Sequence, residues 1–173
     1  MPTMQTPRLI VRPFQVDDIN EAYLAWLNDP LVTRFSNQRF QRHDRASAQA
    51  YLHGFGSGPG LFLSLRRAAD DLAIGTITAH VASHHATADL GLLVGDRTVW
   101  GQGFGLEAWL AVMQWLLGEG GMRKVTAGTA AVNLAMLAII QRSGMQAEGN
   151  RRAQEIINGA AVDILLFGRM RDA

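Results

Sequence analysis

A glycine-spaced segment near the middle of the chain reads LLVGDRTVWGQGFGLEAWLAVMQ, from Leu92 to Gln114. It begins inside an apolar run, Leu90 to Val94, which has the length and composition of a buried strand. A polar turn follows, then Gly101, Gly103 and Gly105, and helical periodicity starts directly after them. Apolar residues recur there at helical spacing and predict one buried face, made of Leu106, Leu110, Met113 and Leu117. The predicted order is therefore strand, glycine-rich turn, helix.

This turn is a potential binding site for an anion. The start of a helix leaves unpaired N–H groups and a partial positive charge at one point, and glycines let an anion approach the main chain closely. The glycines could also serve only as a tight connection. A third interpretation is a nicotinamide-dinucleotide fold, because Gly103 to Ala108 fits G-x-G-x-x-A. That fold needs a carboxylate at the end of the next strand, which here reads TAAV, from Thr129 to Val132, so we reject it.

Composition restricts the class of protein. The chain has 173 residues, which predicts one domain spanning residues 1–173. With 48% apolar and 18% charged residues, it is typical of globular proteins. A net charge of +1 gives no electrostatic reason to expect nucleic acid or a membrane as partner. The absence of cysteine excludes disulfides, zinc–thiolate sites and a cysteine nucleophile. No signal peptide or membrane span is recognisable, so a cytoplasmic location is expected.

The rest of the chain mixes strand and helix patterns. Strands are predicted at Pro7–Arg12, Leu61–Arg66, Leu72–Ala82, Ala86–Val94, Arg123–Ala130, Met145–Gly149, and on both sides of an Asn158-Gly159 turn. Besides the central helix, helices are predicted after a cap at Asp17 or Asp18, from Asp44 to His53, and from Asn133 to Arg142. These patterns favour an α+β fold with one mixed, mostly antiparallel sheet of about six to seven strands and about four helices.

A polar, arginine-rich stretch reads TRFSNQRFQRH, from Thr33 to His43. It can be a solvated surface loop. It can also line a substrate cleft, where arginine and asparagine side chains would hold a polar ligand. On the second interpretation, Arg34, Asn37 and Arg39 are candidate substrate-binding residues, together with His80 on a strand next to the central segment.

Four motifs occur in a fixed order along almost the whole chain. They are TPRLIVR at Thr6–Arg12, Ile74-Gly75, WGQGFGLEA at Trp100–Ala108, and Asn133 followed by RSGM at Arg142–Met145. In this order and spacing the chain resembles the GNAT superfamily of acetyl-CoA-dependent N-acetyltransferases. Within it, the chain is most similar to the branch of the RimJ/RimL ribosomal-protein N-terminal acetyltransferases.

The resemblance implies a GNAT fold with two splayed central strands and acetyl-CoA as co-substrate, with no metal. The pyrophosphate of coenzyme A would lie on the main-chain N–H groups of the glycine turn, and its amide-bearing arm would lie along the open strand edge like an added strand. Asn133 would face that arm, cap the next helix, or do both. The implied cofactor-binding residues are Leu92, Leu93, Val94, Trp100, Gly101, Gln102, Gly103, Phe104, Gly105, Leu106 and Asn133.

Two positions depart from the superfamily pattern. Trp100 stands where arginine or glutamine is frequent, a variant known in the RimJ/RimL branch. Ile140 stands seven residues after Asn133, where many members carry a tyrosine that protonates the leaving thiolate. The general acid is therefore unknown, and Tyr23 and Tyr51 lie too early in the chain to match that tyrosine.

Direct transfer in a ternary complex needs a neutral amine held near the thioester, with the acetyl group's carbonyl polarised by main-chain N–H groups. Asp89 is the candidate general base, although a salt bridge at the strand end would explain it equally. His80 and the exposed pair His84-His85 are further candidates. The acceptor is expected to be a protein N-terminus, a small amine or an amino sugar, and the protein a monomer or homodimer. The missing tyrosine leaves open a non-catalytic acyl-CoA sensor or scaffold.

Overall fold

The computed structural model describes residues 3–172, which form one mixed sheet of eight strands and four α-helices. The strands are β1 (Met4–Gln5), β2 (Leu9–Pro13), β3 (Leu61–Arg67), β4 (Ala73–Ala82), β5 (Thr87–Val94), β6 (Lys124–Ala130), β7 (Gln146–Ile157) and β8 (Ala160–Met170). The helices are α1 (Glu21–Asn28), α2 (Arg45–Gly56), α3 (Phe104–Leu117) and α4 (Leu134–Arg142). The predicted α+β class is confirmed.

The strands lie in the order β1-β2-β3-β4-β5-β6-β8-β7. Over residues 3–172 all neighbours are antiparallel except β5 and β6, so the sheet is mixed and mostly antiparallel, as predicted. The expectation of about six to seven strands is close to the eight observed. β1 is added because Met4–Gln5 pairs with Val11 and Ile10 of β2. The two short strands predicted before the last turn form one long strand, β7.

The splay of the central strands is also confirmed. β5 and β6 pair only where Thr87–Asp89 faces Lys124–Thr126. Beyond that point β5 remains paired with β4 up to Val94, and β6 remains paired with β8 up to Ala130. The two strands therefore diverge, and one main-chain edge of Leu90–Val94 has no strand beside it within the described part of the chain.

α3 covers one face of the sheet and forms the centre of the main core. Its fully buried side chains include Trp109, Val112, Met113 and Leu116, packed on strand residues such as Leu63, Leu65 and Ile77. The predicted face is confirmed at Met113 and Leu117, which are buried, whereas Leu106 and Leu110 are only partly buried. The first turn of α3 borders a cavity instead of the sheet, which moves the buried stripe toward Trp109.

The predicted cap of the first helix at Asp17 or Asp18 is wrong. Asn20 caps α1, since its side-chain oxygen accepts from the N–H of Tyr23 at 3.0 Å. Asp18 is buried and accepts from both terminal nitrogens of Arg12 at 2.8 Å, and Arg66 lies 3.2 Å from the same carboxylate. A buried carboxylate requires such partners. Because the Asp18 carboxylate is held by these two arginines, it does not cap α1.

The second face of the sheet carries a smaller, aromatic layer under α1 and α2. Phe62 points to this face because it alternates along β3 with Leu61 and Leu63 of the main core. Its ring stacks on Phe14 with centroids 4.3 Å apart and meets Tyr51 edge-on at 5.4 Å. None of the helices within residues 3–172 is long and apolar enough to cross a membrane.

Candidate active site

A cavity of about 690 Å³ runs from the glycine turn, along the open edge of β5, to the aromatic layer under α1 and α2. Residues 99–101 and 103–106, which include the start of α3, border one end. α4 forms one wall. The other end lies under the loop between α1 and α2, whose residues 31–43 contribute several side chains. The cavity therefore connects the predicted cofactor turn to a separate polar and aromatic compartment.

At the cofactor end, the main chain is shaped by two glycines in the left-handed region. Gly101 has φ of 74° and Gly103 has φ of 84°, a conformation that other residues adopt only under strain. Gly103 is the N-cap of α3 and no side chain within residues 3–172 caps the helix. Its first N–H groups thus stay available to a ligand. This arrangement fits a phosphate, because both the donors and the helix charge favour an anion.

Gly105 has a different function in the same turn. A Cβ atom at this position would lie 3.2 Å from Ile139 of α4 and 3.4 Å from Leu92 and Val94 of β5. Glycine here lets the first turn of α3 approach both the open strand and α4. The close approach keeps the donors of the turn next to the strand edge.

An ion-pair cluster fixes the turn to the N-terminal segment. Glu107 accepts from Thr6 Oγ1 at 2.6 Å, from Arg8 Nε at 2.6 Å and from the Arg8 main-chain N–H at 2.9 Å. Arg8 also donates to the carbonyl of Gln102 at 2.9 Å, and its guanidinium lies 4.4 Å from the Phe104 ring centroid. Burial acts to raise the pKa of Glu107, but the hydrogen bonds from Thr6 and Arg8 outweigh it and leave the pKa below its usual value. This cluster physically joins two of the four sequence motifs.

Trp100 borders the same end of the cavity. Its indole N–H donates to the carbonyl of Val94 at 2.9 Å, so the residue that precedes the glycines is held against the last residue of β5. Arg97 lies over the indole with its guanidinium 5.9 Å from the ring, and Arg97 also forms an ion pair with Asp29 at 3.2 Å. The turn is thereby linked to the loop that follows α1.

Asn133 is the N-cap of α4. Its side-chain oxygen accepts from Met136 N–H at 3.3 Å, and its amide donates to Thr129 Oγ1 at 3.1 Å. Asn133 also lines the cavity, as do nine of the other ten predicted cofactor-binding residues; Gln102 does not. Those nine are Leu92, Leu93, Val94, Trp100, Gly101, Gly103, Phe104, Gly105 and Leu106. The structure brings them together at one end of the cavity; their contact with a cofactor stays a prediction.

The predicted substrate-binding residues are not all in one place. Arg34 lines the cavity, whereas Asn37 and Arg39 do not. Arg39 donates to the carbonyls of Ser36 and Ile156 and so holds the loop onto β7. His80 lies at a second cavity of about 500 Å³, with its ring 5.3 Å from that of Phe55.

Asp89, the predicted general base, lies outside both cavities. It is exposed, and its carboxylate accepts from Thr126 Oγ1 at 2.7 Å across the last paired positions of β5 and β6. His80 is its cross-strand neighbour on β4. The hydrogen bond to Thr126 matches a structural role at the point where the strands diverge, and the base role stays a prediction.

Sequence reasoning missed several side chains at the end of the cavity that lies under α1 and α2. Tyr23 and Tyr51 both border the cavity, and burial raises the pKa of each phenol. His43 is buried, and its Nε2 lies 2.9 Å from the carbonyl of Gln38. Asn28 holds the His43 main chain from both sides, at 2.9 Å to its N–H and 2.8 Å to its carbonyl. No local signal marks Tyr23, Tyr51 or Asn28, because they come from helices that meet the loop only in the folded chain. His43 ends the polar stretch from Thr33, which has a cleft loop as one of its two interpretations, but nothing in the sequence distinguishes it within that stretch.

The wall formed by α4 explains the missing tyrosine. Ile140 is fully buried in the main core and does not line the cavity. The residues of α4 that line it are Ala135, Met136, Ala138, Ile139 and Arg142. The Ile140 side chain therefore has no surface on the cavity of this protein. Within the described residues, no aspartate or glutamate lines the cavity, and no group of three histidine or carboxylate side chains is arranged to hold a metal ion.

The comparisons with known proteins agree with this geometry. Residues 8–146 match the profile of the "Acetyltransferase (GNAT) domain" family. A GNAT-family acetyltransferase from Bacillus anthracis is 15% identical, with TM-score 0.85 over 99% of this chain and 100% of that chain. RimL, the ribosomal L7/L12 alpha-N-protein acetyltransferase solved in complex with coenzyme A, is 17% identical, with TM-score 0.84 over 99% of each chain.

The ribosomal-protein-S5-alanine acetyltransferase from Vibrio fischeri is 16% identical, with TM-score 0.79 over 99% of this chain and 98% of that chain. At these identities the likeness shows the fold. No curated protein matches the chain significantly. The family profile covers most of the chain, and structures of the predicted RimJ/RimL type are among those that share its fold. The chain belongs to the GNAT acetyltransferase family.

Proposed function

We propose that this protein is an acetyl-CoA-dependent N-acetyltransferase that transfers the acetyl group directly to a primary amine in a ternary complex. The observation that carries the proposal is the single cavity that joins the glycine turn to the compartment under α1 and α2. Two ligands that enter from opposite ends would meet at the open edge of β5. We propose that residues 1–173 act as one domain, as a monomer or homodimer.

The residues at the cofactor end suit coenzyme A. The main-chain N–H groups from Gly101 to Leu106 would hold the pyrophosphate without any lysine. The open edge of Leu92–Val94 would pair with the amides of the pantetheine arm, and Arg142 on the α4 wall would reach a phosphate. When bound, acetyl-CoA supplies the acetyl group as a thioester. The complex of RimL with coenzyme A, a protein of the same fold, supports this assignment.

Removal of the amine proton has two candidate bases. Asp89 was the expectation from sequence. We propose His43 as the stronger candidate, because it lines the cavity, whereas Asp89 bonds to Thr126 outside it. The carbonyl of Gln38 would accept from Nε2–H and leave the Nδ1 lone pair as the acceptor of a proton. Tyr23 and Tyr51 are the candidate donors to the departing thiolate.

The acceptor class stays as broad as the sequence allowed: a protein N-terminus, a small amine or an amino sugar. Fold neighbours that carry the names of ribosomal-protein N-terminal acetyltransferases support the first option. The compartment itself is lined by hydroxyl, amide and aromatic side chains, which suits an acceptor that is held by hydrogen bonds and stacking.

The test is calorimetric binding of coenzyme A together with thiol release from acetyl-CoA over a panel of peptides, amino acids, amino sugars and polyamines. We expect binding of coenzyme A, turnover with at least one amine, and initial-rate patterns of a sequential mechanism. Ping-pong kinetics would contradict direct transfer. Tight binding without turnover on any amine would contradict the transferase proposal and favour a sensor.

A further inference from the structure

We propose that the acceptor is a small amine that carries its own acidic group, and that Arg34 binds that group. This inference rests on the proposed transferase function and narrows its substrate class. It distinguishes a compact amino acid, or a derivative that keeps its carboxylate, from a polyamine or a peptide N-terminus.

The charge of the cavity is the first argument. Arg34 and Arg142 line it, and within residues 3–172 no carboxylate does. Since Arg142 is proposed to bind a phosphate of coenzyme A, Arg34 is the arginine left for the acceptor. An amine enters as an ammonium ion, and among the described residues no carboxylate lines the cavity to pair with it. A polyamine, with several ammonium groups, is disfavoured most. An acceptor with its own carboxylate arrives neutral overall and brings the partner that the arginine lacks.

The second argument is that Arg34, which is exposed at the cavity wall, has no protein partner within residues 3–172, unlike Arg39 and Arg97. Arg42 of the same loop is also unpaired among the described residues, but it does not line the cavity. Arg39 lies 3.6 Å from Glu155, and Arg97 lies 3.2 Å from Asp29. Arg34 has no hydrogen bond or ion pair with any described residue, and its guanidinium lies 5.1 Å from the ring of the adjacent Phe35. A free guanidinium at a cavity wall offers the planar pair of donors that a carboxylate accepts.

The position of Arg34 is set by the loop that carries it. The ion pair of Asp29 with Arg97 fixes one end of the loop beside the cofactor turn. Arg39, through Ile156 and Glu155, fixes the other end on β7. The loop therefore crosses the cavity between two anchors, and Arg34 lies between them.

The aromatic side chains of the compartment determine which group we expect next to the amine of the acceptor. Phe35, Tyr51 and Phe62 line the same compartment, and Tyr51 and Phe62 already pack edge-on at 5.4 Å. These surfaces favour an apolar or aromatic group next to the amine. The acceptor that fits best is an aminocarboxylate with an apolar side chain.

The experiment measures kcat/KM by thiol release for matched acceptors: phenylalanine and methionine, their carboxamides, a short peptide with a free N-terminus, 2-aminoethyl phosphate and spermidine. We expect the wild-type protein to prefer each carboxylate over its carboxamide by about tenfold or more, as expected when a paired polar group is deleted. Arg34→Gln should abolish this preference, and Arg34→Lys should keep part of it. The phosphate amine tests whether Arg34 accepts any acid or a carboxylate alone.

Arg42→Gln is the matched control. Arg42 lies in the same loop, is exposed and does not line the cavity, so the same loss of charge should leave the preference intact. Coenzyme A affinity is measured for every variant. The inference is overturned if carboxamides, peptides or spermidine are preferred, if Arg34→Gln lowers all acceptors equally, or if it weakens coenzyme A binding alone. Absence of turnover on every amine overturns the transferase function itself, and this inference with it.

Discussion

One end of the cavity is formed mainly by main-chain groups, and the other mainly by side chains. The cofactor end is main chain: two glycines with positive φ, an uncapped helix start and a strand edge without a neighbour. The acceptor end is side chains, drawn from α1, α2, the loop between them and β4. A backbone site follows from local sequence and can be recognised in it. A side-chain compartment exists only after distant segments have packed, so its specificity can change while the cofactor end stays the same.

The sharpest test of this comparison concerns proton transfer, which we assign to the acceptor end. His43→Gln should lower kcat by about 10²- to 10⁴-fold, the usual contribution of a general base, with coenzyme A affinity unchanged. The measurement is steady-state thiol release with the best acceptor. Asp89→Asn and His80→Gln, both outside the main cavity, should stay close to wild type. If Asp89→Asn lowers kcat strongly while His43→Gln remains active, the general base is Asp89 on β5 and not His43.

A second prediction concerns the main chain at the cofactor end. Gly103→Ala should weaken coenzyme A binding by about 10- to 100-fold, because alanine at φ of 84° costs about 1–3 kcal/mol or forces the turn to move. Calorimetry gives the affinity. Gly121→Ala is the matched control, since Gly121 also has positive φ of 70° but lies away from the cavity. If both variants bind alike, the turn is a connection and not a binding site.

A third prediction concerns position 140. Ile140→Tyr should destabilise the protein by about 1–3 kcal/mol, because a larger, polar ring would overfill a fully buried position. It should not raise the rate, since the side chain does not reach the cavity. Denaturant unfolding measures the first effect and thiol release the second. Ile156→Tyr, on an exposed position of β7, should be nearly neutral. A stable and faster Ile140→Tyr would mean that α4 turns a different face to the cofactor.

The smallest expected effect concerns the anchor between the N-terminal segment and the glycine turn. Glu107→Gln should lower the free energy of unfolding by about 1–2 kcal/mol at pH 7, since charge-assisted hydrogen bonds to Thr6 and Arg8 are weakened. The folded state lowers the pKa of Glu107, so its stabilisation is complete above the unfolded pKa and is lost as pH falls through the folded pKa. The difference between variant and wild type should shrink in that acidic range.

Unfolding is followed at several pH values, with Glu21→Gln as control. Glu21 is an exposed glutamate in the first turn of α1. Like Glu107, it places a negative charge near the partial positive charge at a helix N-terminus, but it lacks the hydrogen bonds of Glu107. A difference that persists unchanged at low pH would show that the carboxylate charge is not what holds the segment.

The fold and the conformation of the glycine turn were largely predictable because they depend on local pattern. The strand, the glycines and the helix of residues 92–114 are contiguous, and Asn133 directly precedes its helix. Errors arose where tertiary contacts override pattern: Asp18 is taken by Arg12 and Arg66, and the first turn of α3 faces a cavity instead of the sheet. Tyr51 could not be assigned to the site, because no spacing relates it to β5. His43 belongs to the stretch from Thr33 that has a cleft loop as one interpretation, but the sequence does not mark it there as a base.

Trp100 gives the protein an optical signal of its own. Of the four tryptophans, it is the one that lines the cavity within the described residues, and 44% of it is exposed, whereas Trp109 is fully buried. A ligand at the cofactor end would exclude water from this indole and disturb its hydrogen bond to Val94. The emission of the unlabelled protein should therefore change on titration with coenzyme A, and Trp100→Phe should remove that change while the other three tryptophans continue to fluoresce.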